Sequence, residues 1–155
     1  AYFNESYTES NKDNTKPVSF IVHGWSGIGR SGGSNNLVLG SLAEVKINNI
    51  KINGEYFGIG LGLDYSYIER ATKRYWYSSH EWQRIHFRTN IYGVAENENI
   101  YLGIGIGIGK SKYDWNDFSS RVCLGGKYEI SENFGLMGEV GIGAAVLRGG
   151  LYIKI

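Results

Sequence analysis

The chain has 155 residues, a formal net charge of +1, 23 glycines, one proline and one cysteine. That length allows one domain with a sizeable core, and the near-neutral charge excludes the electrostatic footprint of a nucleic-acid binder. The lone Cys123 excludes an internal disulfide framework and a cysteine-built zinc site, and no apolar run approaches the ~18 residues of a membrane helix.

Residues 1–17, "AYFNESYTESNKDNTKP", are polar and contain no secretory leader, so the chain reads as a processed form. They are unassigned: a periplasmic tail, a lumen plug and an additional strand are all open. From residue 18 to 155 a two-residue alternation takes over, the signature of half-buried strands.

Along 18–29, Val18, Phe20, Val22 and Ile28 oppose Ser19, Ile21, His23 and Trp25. In 36–47, Leu37, Leu39, Ala43, Val45 and Ile47 oppose Gly40, Glu44 and Lys46. The stretch 56–67, "YFGIGLGLDYSY", sets Phe57, Ile59, Leu61, Leu63, Tyr65 and Tyr67 against glycines, Asp64 and Ser66. In 81–95, Ile85, Phe87, Thr89 and Ile91 oppose Arg84, His86, Arg88, Asn90 and Tyr92. The run 99–109 carries Ile100, Leu102, Ile104, Ile106 and Ile108 on one face, and on the other Tyr101 followed by glycine at every second position. In 119–130, Val122, Leu124, Tyr128 and Ile130 oppose Arg121, Cys123, Gly125, Lys127 and Glu129. In 134–146, Phe134, Leu136, Val140, Ile142 and Val146 oppose Met137, Glu139, Gly141 and Gly143. Finally Leu147, Leu151, Ile153 and Ile155 oppose Arg148, Gly150, Tyr152 and Lys154.

This predicts an all-β fold of about eight strands in an up-and-down antiparallel barrel. The connections near 30–35, 70–80 and 112–118 read as long, and those near 48–54, 96–98 and 131–133 as short turns. A very short final hairpin is expected around 145–148.

Two barrels share this parity. A membrane barrel turns Ile and Leu to lipid; a soluble, lipocalin-like barrel lines a ligand cavity with them. The transmembrane version is favoured on three grounds. Aromatics sit at the ends of the apolar rows, where an interfacial belt lies. The polar face carries both signs, as expected of charges paired across a narrow lumen. Glycine rows leave room in that lumen for long side chains from other strands. The expected lumen network is Glu44, Asp64, Arg84, His86, Arg88, Arg121, Glu139 and Arg148.

On segments such as "GGKYEISENFGLMGEVGIGA" (125–144) and the ending "LYIKI", the chain resembles the small eight-stranded outer-membrane β-barrel proteins of Gram-negative bacteria, of the adhesion and invasion type and the A type. Ile155 stands where that family closes with Phe or Trp. The resemblance implies a monomer in the bacterial outer membrane, surrounded by lipid and lipopolysaccharide. It also brings an enzymatic alternative, because some small barrels are lipid A deacylases or palmitoyltransferases. The deacylases carry His-x-Ser in the strand before last, and 134–146 has neither residue.

No metal or cofactor is expected, and no catalytic residue is assigned. His23 and Ser26 of "HGWS" stand three positions apart, an odd spacing that puts them on opposite faces of a strand. The loop "ERATKRYWYSSHEW" (69–82) is the expected binding surface, with Arg70, Lys73 and Arg74 beside Tyr75, Trp76 and Tyr77. Those residue types suit lipopolysaccharide, a host or surface polyanion, or a protein partner. The aromatic and acidic stretch 112–120, with Trp115, is its companion. The expected role is structural or adhesive, and non-enzymatic.

Overall fold

A computed structural model describes residues 17–31, 34–70, 80–94, 98–111, 114–143 and 145–155. Eight strands follow in chain order: β1 (Val18–Ser31), β2 (Ser34–Ile52), β3 (Glu55–Arg70), β4 (His80–Tyr92), β5 (Ile100–Ser111), β6 (Asp114–Ser131), β7 (Phe134–Ile142) and β8 (Leu147–Lys154). Each pairs antiparallel with its sequence neighbours, and β1 pairs with β8 from Ile21↔Lys154 to Ile28↔Leu147, so the sheet closes into an up-and-down ring. The Phe20 and Ile155 amides and carbonyls exchange bonds of 2.8 and 3.4 Å at the seam. Closure leaves no edge strand with an unpaired ladder.

Alternation along each strand becomes a separation between the two sides of the wall. The outward row Ala43–Leu63–Phe87–Ile106 runs straight across β2 to β5 in register. The inward positions hold Arg88, Arg121, Arg148, Glu44, Asp64 and Glu139, each at most 3% exposed. A smaller apolar group, with Ile21, Trp25, Val38, Ile68, Met137 and Tyr152, shares the interior. The ring therefore holds these charged side chains inside while large apolar side chains such as Leu63 and Ile106 lie exposed on its outer face.

Strand ends differ from the sequence reading. The segments 30–35 and 112–118 are not long connections: β1 runs to Ser31 and β2 starts at Ser34, while β5 runs to Ser111 and β6 starts at Asp114. Trp115, expected on a connection, therefore lies within β6. Pairing with the neighbouring strand satisfies backbone groups that composition alone assigns to a loop, because strand propensity is a weak prior against ladder formation. At the 48–54 turn, only Asn53 (φ 51°) and Gly54 (φ 90°) leave the strands, the positive pair that a two-residue type I′ hairpin demands. The strand before it absorbs an irregularity between Ile47 and Ile50, where Asn49 sits at φ 60°. β7 ends at Ile142 and β8 begins at Leu147, so Val146 belongs to the connection and not to the β7 row. The expected contrast of long and short ends thus shrinks, among connections between described strands, to 71–79 at one end and 93–99 at the other.

The glycine rows act as clearances. A Cβ on Gly60 would meet the Glu44 carboxylate at 2.6–2.9 Å, and one on Gly103 would meet Arg88 Nη2, Asn90 Oδ1 and Cys123 Sγ at 2.6–2.7 Å. On the outer wall, Gly126 and Gly138 would meet nothing within 4 Å. Gly103→Ala is accordingly expected to cost about 1–3 kcal/mol by overpacking, and Gly126→Ala close to nothing. Unfolding midpoints of the two purified variants check the difference; equal midpoints would contradict the inner clearance.

Candidate functional site

The interior is organised in two tiers. The first lies where β3, β4, β6, β7 and β8 present charged residues inward. Glu139 on β7 accepts from Arg88 (Nη1 at 3.2 Å, and Nη2), from Arg121 Nη2 at 3.1 Å, from Arg148 Nε and from the Tyr101 hydroxyl at 2.7 Å. Asp64 on β3 accepts from Arg88 Nη1 at 3.1 Å and from Arg148 Nη1 and Nη2 at 3.2 and 2.7 Å. Arg88 also donates through Nε to Asn90 Oδ1 at 2.7 Å, and its Nη2 lies 3.1 Å from Cys123 Sγ. Arginine suits this position because its planar fork spans two carboxylates at once.

The second tier lies toward the end of the ring where β1 begins and β8 finishes. Glu44 accepts from Asn90 Nδ2 and from the Tyr92 hydroxyl at 2.5 Å, with Lys127 Nζ at 3.5 Å. Lys127 donates to Tyr92 at 2.6 Å and stands over the rings of Tyr92, Tyr152 and Tyr101 at 4.6, 5.3 and 5.6 Å. Lys46 takes another position over the Tyr92 ring, at 4.1 Å. Ammonium groups held against aromatic faces keep electrostatic compensation where water is scarce. Beyond this tier a cavity of 130 Å³ opens, lined by Lys46, Lys154, Glu98 and Glu129 together with asparagines and the rings of Tyr56, Phe57 and Tyr92.

Of the lumen residues anticipated from sequence, Glu44, Asp64, His86, Arg88, Arg121, Glu139 and Arg148 are all buried. His86 does not join the ion cluster; its Nε2 meets Ser119 Oγ at 2.8 Å, over Gly107 of β5, which stands between them in register. Arg84 is half-buried on the same face of β4. Sequence parity also put Lys127, Asn90, Tyr92 and Tyr101 on this face but gave no reason to group them. Their partners lie 35 to 48 residues away in sequence, so nothing short of the strand register could have found them. Of the binding candidates, Lys73, Arg74, Tyr75, Trp76 and Tyr77 lie outside the described residues, and Arg70 ends β3.

The two residues of the "HGWS" stretch are separated by the wall. His23 is fully buried, while Ser26 is exposed and pairs in register with Gly149 on the outer surface. A serine and its base need hydrogen-bond reach, which this arrangement does not give. Among the described residues no group of three or more His, Cys, Asp or Glu is placed to hold a metal ion.

The Ile and Leu rows lie outside the ring, so no interior cavity is lined by them among the described residues, as a lipocalin-like ligand site requires. Comparison with known protein families, with curated proteins and with solved structures gives no match to this chain.

Proposed function

We propose that the chain is an integral β-barrel of the bacterial outer membrane, with its Ile- and Leu-rich wall in lipid and a structural or surface-adhesion role. One observation carries the membrane part: large apolar side chains cover the outside while ion pairs fill the inside. Ile104 is 46%, Leu63 59% and Ile142 72% exposed, whereas Arg88 and Arg121 are 1% exposed. A soluble protein seldom exposes apolar patches beyond a few hundred Å², and a closed strand ring is one of the two backbone solutions that span hydrocarbon. Phe20 and Tyr128 stand outward near the end where β1 begins and β8 finishes, where interfacial aromatics belong.

The interaction part rests on the residues between β3 and β4, whose cations and aromatics suit lipopolysaccharide phosphates or another surface polyanion. β1 begins and β8 finishes at the opposite end, which this reading puts on the periplasmic side. The test is electrophoresis of detergent-solubilised protein with and without boiling. A folded membrane barrel migrates differently before heating, and the protein should fractionate with outer membranes. Recovery of the folded ring in detergent-free buffer would sink the membrane reading. Replacing Lys73, Arg74, Tyr75, Trp76 and Tyr77 together by serine should abolish binding of cells to a polyanion-coated surface while leaving the heat-dependent shift intact. Undiminished binding would remove the adhesive role.

A further inference from the structure

The cavity beyond the second tier opens at the end of the ring where β1 begins and β8 finishes, away from the β3–β4 connection. Its 130 Å³ equals the liquid volume of about four waters at ~30 Å³ each. That admits one small solute and falls far short of the ~300–1,000 Å³ of a pocket for a drug-sized ligand. Backbone bonds pin the wall around it. Asn48 N donates to the Pro17 carbonyl at 2.8 Å, Gly93 N to the Ile100 carbonyl at 3.1 Å and Lys127 N to the Asn99 carbonyl at 2.9 Å. The irregularity between Ile47 and Ile50 brings both Asn48 and Asn49 into the lining, a common use of a bulge, which re-aims side chains. The Asn48 amide is held in turn by Ser19 Oγ at 3.3 Å.

Lys46, Lys154, Glu98 and Glu129 line this one space, and Lys46 lies within electrostatic reach of the other three. Lys154 and Glu129 pair with each other at 3.8 Å. The remaining two are left over. Among the described residues no carboxylate comes within ion-pair distance of Lys46, and no cation within that distance of Glu98. The Lys46 ammonium rests instead over the Tyr92 ring at 4.1 Å. The cavity thus presents a cation and an anion without counter-ions, beside asparagine amides that both donate and accept.

The equal signs argue against a simple anion or a simple cation as the occupant. A sugar fits poorly as well, because the aromatic rings that would stack on it are engaged by cations. Lys46 and Lys127 stand over Tyr92 at 4.1 and 4.6 Å, and Lys51 stands over Tyr56 at 5.6 Å.

We propose that this mouth of the ring binds a small free α-amino acid as its zwitterion, with the ligand carboxylate on Lys46 and the ligand ammonium on Glu98. Both contacts are charge-assisted hydrogen bonds, and the asparagine amides take up the ligand's remaining donors and acceptors. A ligand with only one of the two charges leaves the other wall charge unmatched, which is how such a site discriminates. The proposal depends on the mouth of the ring alone and stands whether or not the outer wall meets lipid.

The test is titration calorimetry of the folded protein with alanine, propionate and ethylamine, the last two each keeping one of alanine's charges. A non-ionic detergent is used, since a zwitterionic headgroup would compete; protein that stays folded without detergent is titrated in plain buffer. Alanine should bind saturably, and propionate and ethylamine at least about tenfold more weakly, the loss expected from one charge-assisted bond. Lys46→Gln and Glu98→Gln should each weaken alanine binding by about tenfold or more while the β-sheet circular dichroism is unchanged. Glu98 lies in an exposed turn, so its variant decides the matter if Lys46→Gln does not fold. No saturable binding of alanine, equal binding of propionate (an anion site) or of ethylamine (a cation site), or alanine binding that survives Glu98→Gln would each overturn the proposal.

Discussion

Replacing Glu139 by alanine should lower the stability of the folded ring by about 3–5 kcal/mol, the usual consequence of removing one partner from a buried ionic cluster. The expectation is large because one carboxylate accepts from Arg88, Arg121, Arg148 and Tyr101. Its loss leaves three buried guanidinium groups facing Asp64 alone. Arg121 and Tyr101 have no second carboxylate among their hydrogen bonds, whereas Arg88 and Arg148 keep Asp64. The measurement is urea unfolding of refolded protein, followed by the heat-dependent gel shift. Adding Arg121→Gln to Glu139→Ala should cost less than the sum of the two single changes, because it removes one orphaned cation. Strict additivity, or a loss below about 1 kcal/mol, would mean that Glu139 is no keystone.

The second large effect tests the outer wall, and its sign separates the two readings of the fold. Ile104→Arg, at the centre of the outward row of β5, should cost about 2–4 kcal/mol in a membrane barrel, since that position falls near mid-bilayer. Ile155→Arg, at the chain end and 70% exposed, should cost only about 0–1 kcal/mol by the same depth dependence. A soluble ring behaves oppositely: an arginine on a half-exposed surface position would be neutral or would improve solubility. Folding free energies of both variants in lipid vesicles decide this. If Ile104→Arg inserts and folds like wild type, the apolar wall does not face hydrocarbon.

Three glycines illustrate how unequal positions look alike in one dimension. Gly103, Gly105 and Gly126 sit in runs of similar composition, and parity assigns the first two to the same inner row. In the ring, a Cβ on Gly103 would be wedged among Arg88, Asn90 and Cys123, while one on Gly105 would approach nothing closer than 3.4 Å. Gly126 faces outward into open space. The difference arises because interior crowding depends on which long side chains reach over from β4 and β6, and this follows from register.

Parity along the chain was enough to sort side chains between the two faces of the wall, since a strand alternates strictly and a one-residue slip would invert every position. It therefore assigns eight charged or imidazole residues to the inner face, of which seven, Glu44, Asp64 and Glu139 among them, are buried and Arg84 is half-buried. Local turn chemistry was also legible where it was strong, as at Asn53–Gly54. Strand lengths were not: Asp114 to Phe118 reads as loop by composition, yet it extends β6, because a neighbouring strand offers hydrogen-bond partners that composition cannot register. Nor could sequence say which acid meets which base. Arg148 reaches Asp64 across 84 residues of chain, and Arg88 reaches Glu139 across 51. Such partners are chosen by ring closure and by the stagger between strands, both properties of the whole sheet. Alternation within single strands fixed the environment of each face; only closure of the ring decided that three arginines would share two carboxylates.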